Sequence, residues 1–263
     1  MSDETPLTRL GAARERGDGG FLWESIVNGP VRSRRLGTSL GVNILPARSK
    51  LCGFNCSYCE CGFNTPKAQG SRWPSPDEIA HALRRALDRL PQAPDAITLS
   101  GNGEPTLHPR FSIVVERILE VRGDLAPRSR TVVLSNGLAA GVPAVAGALM
   151  RLDARMLKLD PGPRQRVNGL EYDADRLASD YRALKPYTVQ AMVAKGTDWD
   201  GSSAASVAEW LQLVVRADPD AVHLYSLARP PADFGVQNVP RERLEEMAIA
   251  LRKALPRCVV DVF

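Results

Sequence analysis

The chain has 263 residues, 44% hydrophobic and 24% charged, which is the balance of a globular protein with a sizeable core and excludes a disordered chain. No run of about 18 apolar residues occurs, so no membrane-spanning helix is expected. The formal net charge of +4 is spread along the chain, with only Arg32, Arg34 and Arg35 closely grouped, so charge alone identifies no partner.

The first residues, MSDETPLTRLGAARERGDGG, contain acids and no apolar stretch. A secretory signal is therefore not expected and the cytoplasm is the expected compartment. Their Gly, Arg and Asp content reads as a mobile tail over 1–20, with one domain over 21–263. Phe21-Leu22-Trp23-Glu24-Ser25-Ile26-Val27 is apolar enough to pack on that domain. Residues 40–45 read as a short buried strand stopped by Pro46. Ser75-Pro76-Asp77-Glu78 supplies an N-cap, a proline at the first helical position and a capping-box Glu. Ile79, Leu83, Ala86 and Leu90 then recur at helical spacing.

Strands are expected next at 96–100, 131–135, 156–160, 188–194 and 221–227. Each is followed by a helix, around 111–121, 145–152, 174–184, 206–216 and 241–255. Residues 258–263 are a candidate further strand. Alternation with short connections predicts a parallel sheet with outer helices, in six β/α units. In barrels of this kind, loops at the strand C-terminal ends build the site.

The loop after the first strand contains Cys52-Gly-Phe-Asn-Cys56-Ser-Tyr-Cys59. Iron–sulfur clusters are held by cysteine thiolates, and three from one loop leave one iron of a cubane open to a small molecule. Cys61 would complete a zinc set, but structural zinc sites draw on two separated pairs that wrap the metal. Five cysteines in a long chain suit no disulfide framework. His81, His108 and His223 show no metal spacing, and Cys258 reads as packing. The loop after the second strand, Ser100-Gly101-Asn102-Gly103-Glu104-Pro105, offers two glycines for close approach and a carboxylate that could bind an ammonium. Ser135-Asn136-Gly137 ends the third strand and Asp160-Pro161-Gly162 the fourth, where each also reads as an ordinary turn.

Taken together, the cysteine spacing, the GxGEP loop and Ser-Asn-Gly resemble the radical S-adenosylmethionine (SAM) superfamily. The resemblance implies a partial (β/α)6 barrel in which Cys52, Cys56 and Cys59 hold a [4Fe–4S] cluster. SAM would chelate the open iron, with Gly101, Gly103 and Glu104 at its amino group and Ser135 or Asn136 at its ribose or carboxylate. Tyr58 would lean on the adenine and Asp160 would face SAM or substrate, while Gln190, inside the apolar fifth strand, is either a satisfied core amide or a barrel-facing polar contact of the same site. Cys61 stays a free thiol beside the cluster. An external one-electron reductant of flavodoxin or ferredoxin type is also implied.

A narrower resemblance rests on the segment 29–43, the GxGEP loop, Leu157-Lys158-Leu159-Asp160-Pro161-Gly162 and Arg229-Pro230-Pro231-Ala232. These are similar to compact proteins grouped with wyosine-type tRNA-modifying synthases, which makes an RNA base one substrate class. This chain departs from those synthases in having no cysteine before Cys52, and Lys158 is the one candidate for their reactive lysine. A partner protein, as for the activases of glycyl-radical enzymes, is a second class, and a non-catalytic cluster- or metal-binding module is the alternative to an enzyme. Arg32, Arg34, Arg35 and Arg229 are expected near the open edges of the barrel, at the strand C-terminal face. They are candidate holders of an anionic substrate or members of surface salt bridges there.

Overall fold

Hydrophobic alternation in seven short segments builds the sheet around which the molecule is arranged. The computed structural model describes residues 13–15, 20–64 and 71–263, with backbone alone for 13–15. Strand β1 (Ala13–Glu15) pairs antiparallel with β2 (Phe21–Trp23). The remainder of the tail expectation, 1–12 and 16–19, lies outside the described residues. Strands β3 (Val27–Ser33) and β4 (Gly37–Val42) form an antiparallel hairpin with a register irregularity between Asn28 and Val31.

From β4 onward the alternation is the one expected from sequence. Helix α1 (Pro76–Leu87) precedes β5 (Ala96–Leu99), α2 (Phe111–Leu125) precedes β6 (Arg130–Ser135), and α3 (Pro143–Met150) precedes β7 (Ala154–Lys158). Helices α4 (Arg164–Val167) and α5 (Ala174–Arg182) lead to β8 (Thr188–Met192), followed by the short β9 (Ala194–Lys195). Helix α6 (Ala204–Ala217), β10 (Ala221–Tyr225), β11 (Gln237–Asn238), α7 (Arg241–Ala254) and β12 (Val259–Val262) complete the chain. The main sheet runs β12-β10-β8-β7-β6-β5-β4-β3, parallel throughout except for β3. The six expected units are present, 258–263 supplies a seventh parallel strand, and among the described residues β3 and β12 are the edges of an open barrel.

The α1 cap forms as its residues predict: Glu78 N–H donates to Ser75 Oγ (3.2 Å) and Ser75 N–H to Glu78 Oε2 (2.8 Å). Alternate strand residues face opposite ways. Ile97, Leu99, Val133, Leu157, Val189, Ala191, Val222 and Leu224 join the helices' apolar stripes in one core. On the inner face, Leu36, Ala96, Val132 and Met156 make a small apolar plug toward the strand N-terminal ends. Polar Lys158, Gln190 and Tyr225 line the inner face above it.

Two expected strands sit further back in the chain than anticipated, 37–42 for 40–45 and 154–158 for 156–160. At both ends a side chain diverts the backbone. Asn43 Oδ1 accepts from Leu45 N–H (3.3 Å), and Asp160 Oδ1 accepts from Met192 N–H (2.8 Å). The β3 strand was not anticipated, because Gly29-Pro30 and three arginines interrupt its alternation. Among the described residues no helix is long and apolar enough to cross a membrane.

Candidate functional site

The strand C-terminal ends open on a cavity of about 350 Å³. The expected residues Cys52, Cys56, Tyr58, Cys59, Gly101, Gly103, Glu104, Ser135, Asn136 and Gln190 all line it. They come from four strands, from the ends of β4, β5 and β6 and from within β8, and the backbone explains why the first three sets meet. Leu51 N–H donates to Asn102 O (2.9 Å) and Glu104 N–H to Leu51 O (2.8 Å), a short parallel bridge between the cysteine loop and the loop after β5. Gly103 sits at φ +132°, and a Cβ there would lie 1.8 Å from Leu51 O, so only glycine permits the bridge. At Gly101 a Cβ would meet Asn43 Oδ1 at 2.3 Å.

Asn102, which the sequence reading left without a role, is fully buried and ties three segments together. Its Oδ1 accepts from Trp23 N–H (2.8 Å), and its Nδ2 donates to Trp23 O (2.8 Å) and Pro46 O (3.1 Å). The GN dipeptide inside GxGEP was the only available signal.

Glu104 is buried, and its carboxylate joins two loops. Oε1 accepts from Thr106 N–H (3.1 Å), Thr106 Oγ1 (2.7 Å) and Ser135 Oγ (2.7 Å), while Oε2 accepts from Asn136 N–H (2.6 Å). Oε2 is thus the oxygen with acceptor capacity left for the cavity. Burial raises the carboxyl pKa, and the hydrogen bonds work against that rise.

Asp160 does not line the cavity; it stands behind the wall and orients what does. It accepts from Tyr58 Oη (2.5 Å), Asn168 Nδ2 (2.9 Å) and Met192 N–H, and pairs with Lys158 Nζ at 2.9 Å. Burial opposes the Lys158 charge, but Asp160 and Tyr225 outweigh it and hold the pKa above the ordinary lysine value. Lys158 lies over the Tyr58 ring (4.9 Å to the centroid) and the Tyr225 ring (5.2 Å). A lysine held charged in this way is a poor amine nucleophile.

Around the cysteines, amide donors point at sulfur. Asn136 Nδ2 lies 3.6 Å from Cys52 Sγ, and Asn168 Nδ2 lies 3.6 Å from Cys56 Sγ. Lys50, 1% exposed, donates from Nζ to Gly62 O at 2.6 Å. Burial pushes the Cys52 thiol up to about 12 and the Cys56 thiol up to about 11. Cys59 moves down instead, because the Cys61 thiol donates to it and the Lys50 charge favours its thiolate. Cys61 is buried and also lies 3.5 Å from Gly101 O, so it is a partner of Cys59 rather than a bystander.

The arginines divide. Because β3 runs antiparallel, its turn into β4 falls at the N-terminal end of the parallel strands, not at the expected C-terminal face. Arg32 is exposed on β3 outside the cavity. Arg34 and Arg35 line both the upper cavity and a second one of about 690 Å³ at the lower rim, with Arg128 and Arg130. Arg35 reaches inward and lies over the Tyr225 ring at 4.5 Å. Arg229 does sit on the upper rim, paired with Glu60 at 2.7 Å.

No family model matches the chain. It is 34% identical over 218 residues to a UPF0026 protein of Synechocystis sp., covering 78% of this chain and 76% of that relative. A UPF0026 protein of Helicobacter pylori is 36% identical over 135 residues, covering 51% of this chain. The match spans only 42% of that relative's length. Among solved structures, a radical SAM methyltransferase from Sphaerobacter thermophilus superposes with a TM-score of 0.64 at 19% identity, covering 98% of this chain and 77% of that one. Streptococcus suis SuiB bound to S-adenosylmethionine gives a TM-score of 0.61 at 15% identity, covering 85% of this chain and 50% of that one. At these identities the likeness shows the fold, which this chain shares with radical SAM enzymes.

Proposed function

The chain belongs to the UPF0026 family, and we propose that it is a radical SAM enzyme whose cluster is held by Cys52, Cys56 and Cys59. The observation that carries this reading is the convergence of that loop with Gly101–Glu104 and Ser135–Asn136 on one cavity. Among the described residues no three His, Cys, Asp or Glu side chains gather closely enough to hold a single metal ion. A cubane makes a different demand, since each thiolate takes its own iron. Amide donors at Cys52 and Cys56 and the buried Lys50 cation fit a buried, thiolate-rich anion.

When bound, the reduced cluster would supply the electron that cleaves the S–C5′ bond of SAM to methionine and a 5′-deoxyadenosyl radical, which takes hydrogen from substrate. This chain's residues bind and orient. Glu104 Oε2 and the Gly101–Gly103 backbone would receive the methionyl ammonium, and Ser135 and Asn136 the ribose or carboxylate. Tyr58 presents its ring to the cavity with its hydroxyl fixed on Asp160, so Asp160 acts by positioning Tyr58. Gln190 lies deeper in the cavity, beside Tyr225. The electron would come from a flavodoxin- or ferredoxin-type donor. Lys158, held charged by Asp160, argues against a lysine adduct, so the tRNA-modifying chemistry is not favoured.

The test is anaerobic reconstitution. The protein should bind about four irons per chain and release 5′-deoxyadenosine from SAM when reduced. One zinc per chain with no sulfide, or an iron-loaded protein that never cleaves SAM, would overturn the reading.

A further inference from the structure

Among the described residues five cations line the upper cavity, and four are accounted for. Lys158 pairs with Asp160, Arg229 pairs with Glu60, Lys50 donates to Gly62 O, and Arg34 is exposed to solvent. Arg35 differs from all of them. Its Nη1 is buried and has no hydrogen-bond partner among the described residues, while its guanidinium lies over the Tyr225 ring at 4.5 Å. A buried charged donor without an acceptor is costly, and such groups in native proteins are satisfied by something. No carboxylate pairs with Arg35 among the described residues.

The surroundings say what kind of group is missing. Arg35 lies over Tyr225, and Phe263, Leu134 and Gln190 line the same cavity. A buried guanidinium N–H without an acceptor, beside an aromatic ring, suits one monoanionic group on a small apolar body. A guanidinium fork matches a carboxylate with two parallel N–H···O bonds. A nucleic acid strand would need a track of exposed cations along its backbone instead. Location agrees with a substrate role. Arg35 stacks on Tyr225, Lys158 lies 5.2 Å from that ring and 4.9 Å from the Tyr58 ring, so the stack climbs from Arg35 to the cysteine loop.

We propose that this enzyme acts on a small carboxylate-bearing molecule, whose carboxylate is bound by Arg35 on the floor of the cavity. This rests on the radical SAM reading and narrows its substrate class. Arg35 enters the lumen from the β3–β4 turn below, and its partner enters from the cysteine rim above.

The experiment titrates carboxyl-labelled ¹³C-benzoate, and separately inorganic phosphate, into the reconstituted, SAM-loaded protein at constant ionic strength, read by NMR. Saturable benzoate binding is expected in the wild type, weakened roughly ten- to a hundred-fold in Arg35→Met, the loss expected for one charged hydrogen-bonding group. Arg35→Lys should fall between the two, and Arg32→Gln should match the wild type. Circular dichroism checks that each variant folds, with Arg35→Lys as the milder probe if Arg35→Met does not. No saturable benzoate binding in the wild type, or equal binding in Arg35→Met, overturns the proposal. So does tighter phosphate binding that survives Arg35→Met and is lost in Arg128→Gln, which would put the anion at the lower rim. SAM cleavage is measured on the same preparation. Cleavage without benzoate binding removes only this inference, and binding without cleavage removes only the radical SAM reading.

Discussion

The two ends of the barrel lumen are built on opposite principles. At the upper rim nearly every polar group around the cysteine loop has a partner within the chain: Asn102, Asp160 and Glu104 each hold three or four hydrogen bonds. At the floor, Arg35 Nη1 and His223 Nδ1 are buried with none among the described residues. A saturated network fixes geometry before anything binds, which is what a cofactor seat needs. An unsatisfied floor leaves energy to be gained when a ligand arrives. The same polar residue types therefore serve two purposes, separated by whether the fold completes their hydrogen bonds.

The strongest way to break this contrast acts on the rim. Cys56→Ala should abolish both cluster content and SAM cleavage, measured as iron, sulfide and 5′-deoxyadenosine. Retained cleavage in that variant would put the cluster elsewhere. Next in size is Glu104→Ala. It strands the Ser135 and Thr106 hydroxyls and the Thr106 and Asn136 N–H groups, so a stability loss on the order of 3–5 kcal/mol is expected. Thermal melting should fall by roughly 10 °C. The cluster should remain while SAM binds about ten- to a hundred-fold more weakly. Unchanged melting would show that the clamp between the two loops is not formed in solution.

What the sequence disclosed follows this division. The CxxxCxxC loop, the GxGEP loop and the strands between them were legible because ligand spacing and apolar alternation are local signals. Roles set by distant contacts were not. Asp160 reads as a cavity residue until Tyr58, 102 positions away, is seen to donate to it. Asn102 likewise depends on Trp23, 79 positions earlier. That Arg34 and Arg35 start from a turn at the strand N-terminal ends was not legible either, because the antiparallel course of β3 left no periodic trace around Gly29-Pro30.

A smaller effect sharpens the floor. Burial, then the Arg35 charge, depresses the His223 pKa from its ordinary 6.5 to about 4, with Asp261 pulling the other way. Below pH 6.5 the unfolded chain therefore binds the proton first. His223 contributes stability above pH 6.5 that is lost as pH falls toward 4. Denaturant unfolding across pH 7 to 4 should show this loss, and His223→Gln should flatten it. In Arg35→Met the His223 pKa, followed by NMR, should rise toward 6.5. A titration that does not move would separate the two groups. Least affected should be Cys61→Ala, which removes a donor to Cys59 but no cluster ligand; iron content and SAM cleavage should persist.

The most direct measurement is the electron paramagnetic resonance spectrum of the reduced, reconstituted protein before and after SAM is added. A [4Fe–4S]⁺ signal is expected whose g-values shift on adding SAM, because on the proposed reading SAM would reach an iron that no cysteine holds. In Glu104→Ala the same shift should require about ten- to a hundred-fold more SAM. A cluster signal that SAM leaves unchanged at saturating concentration would contradict the assignment of this rim as a joint cluster and SAM site.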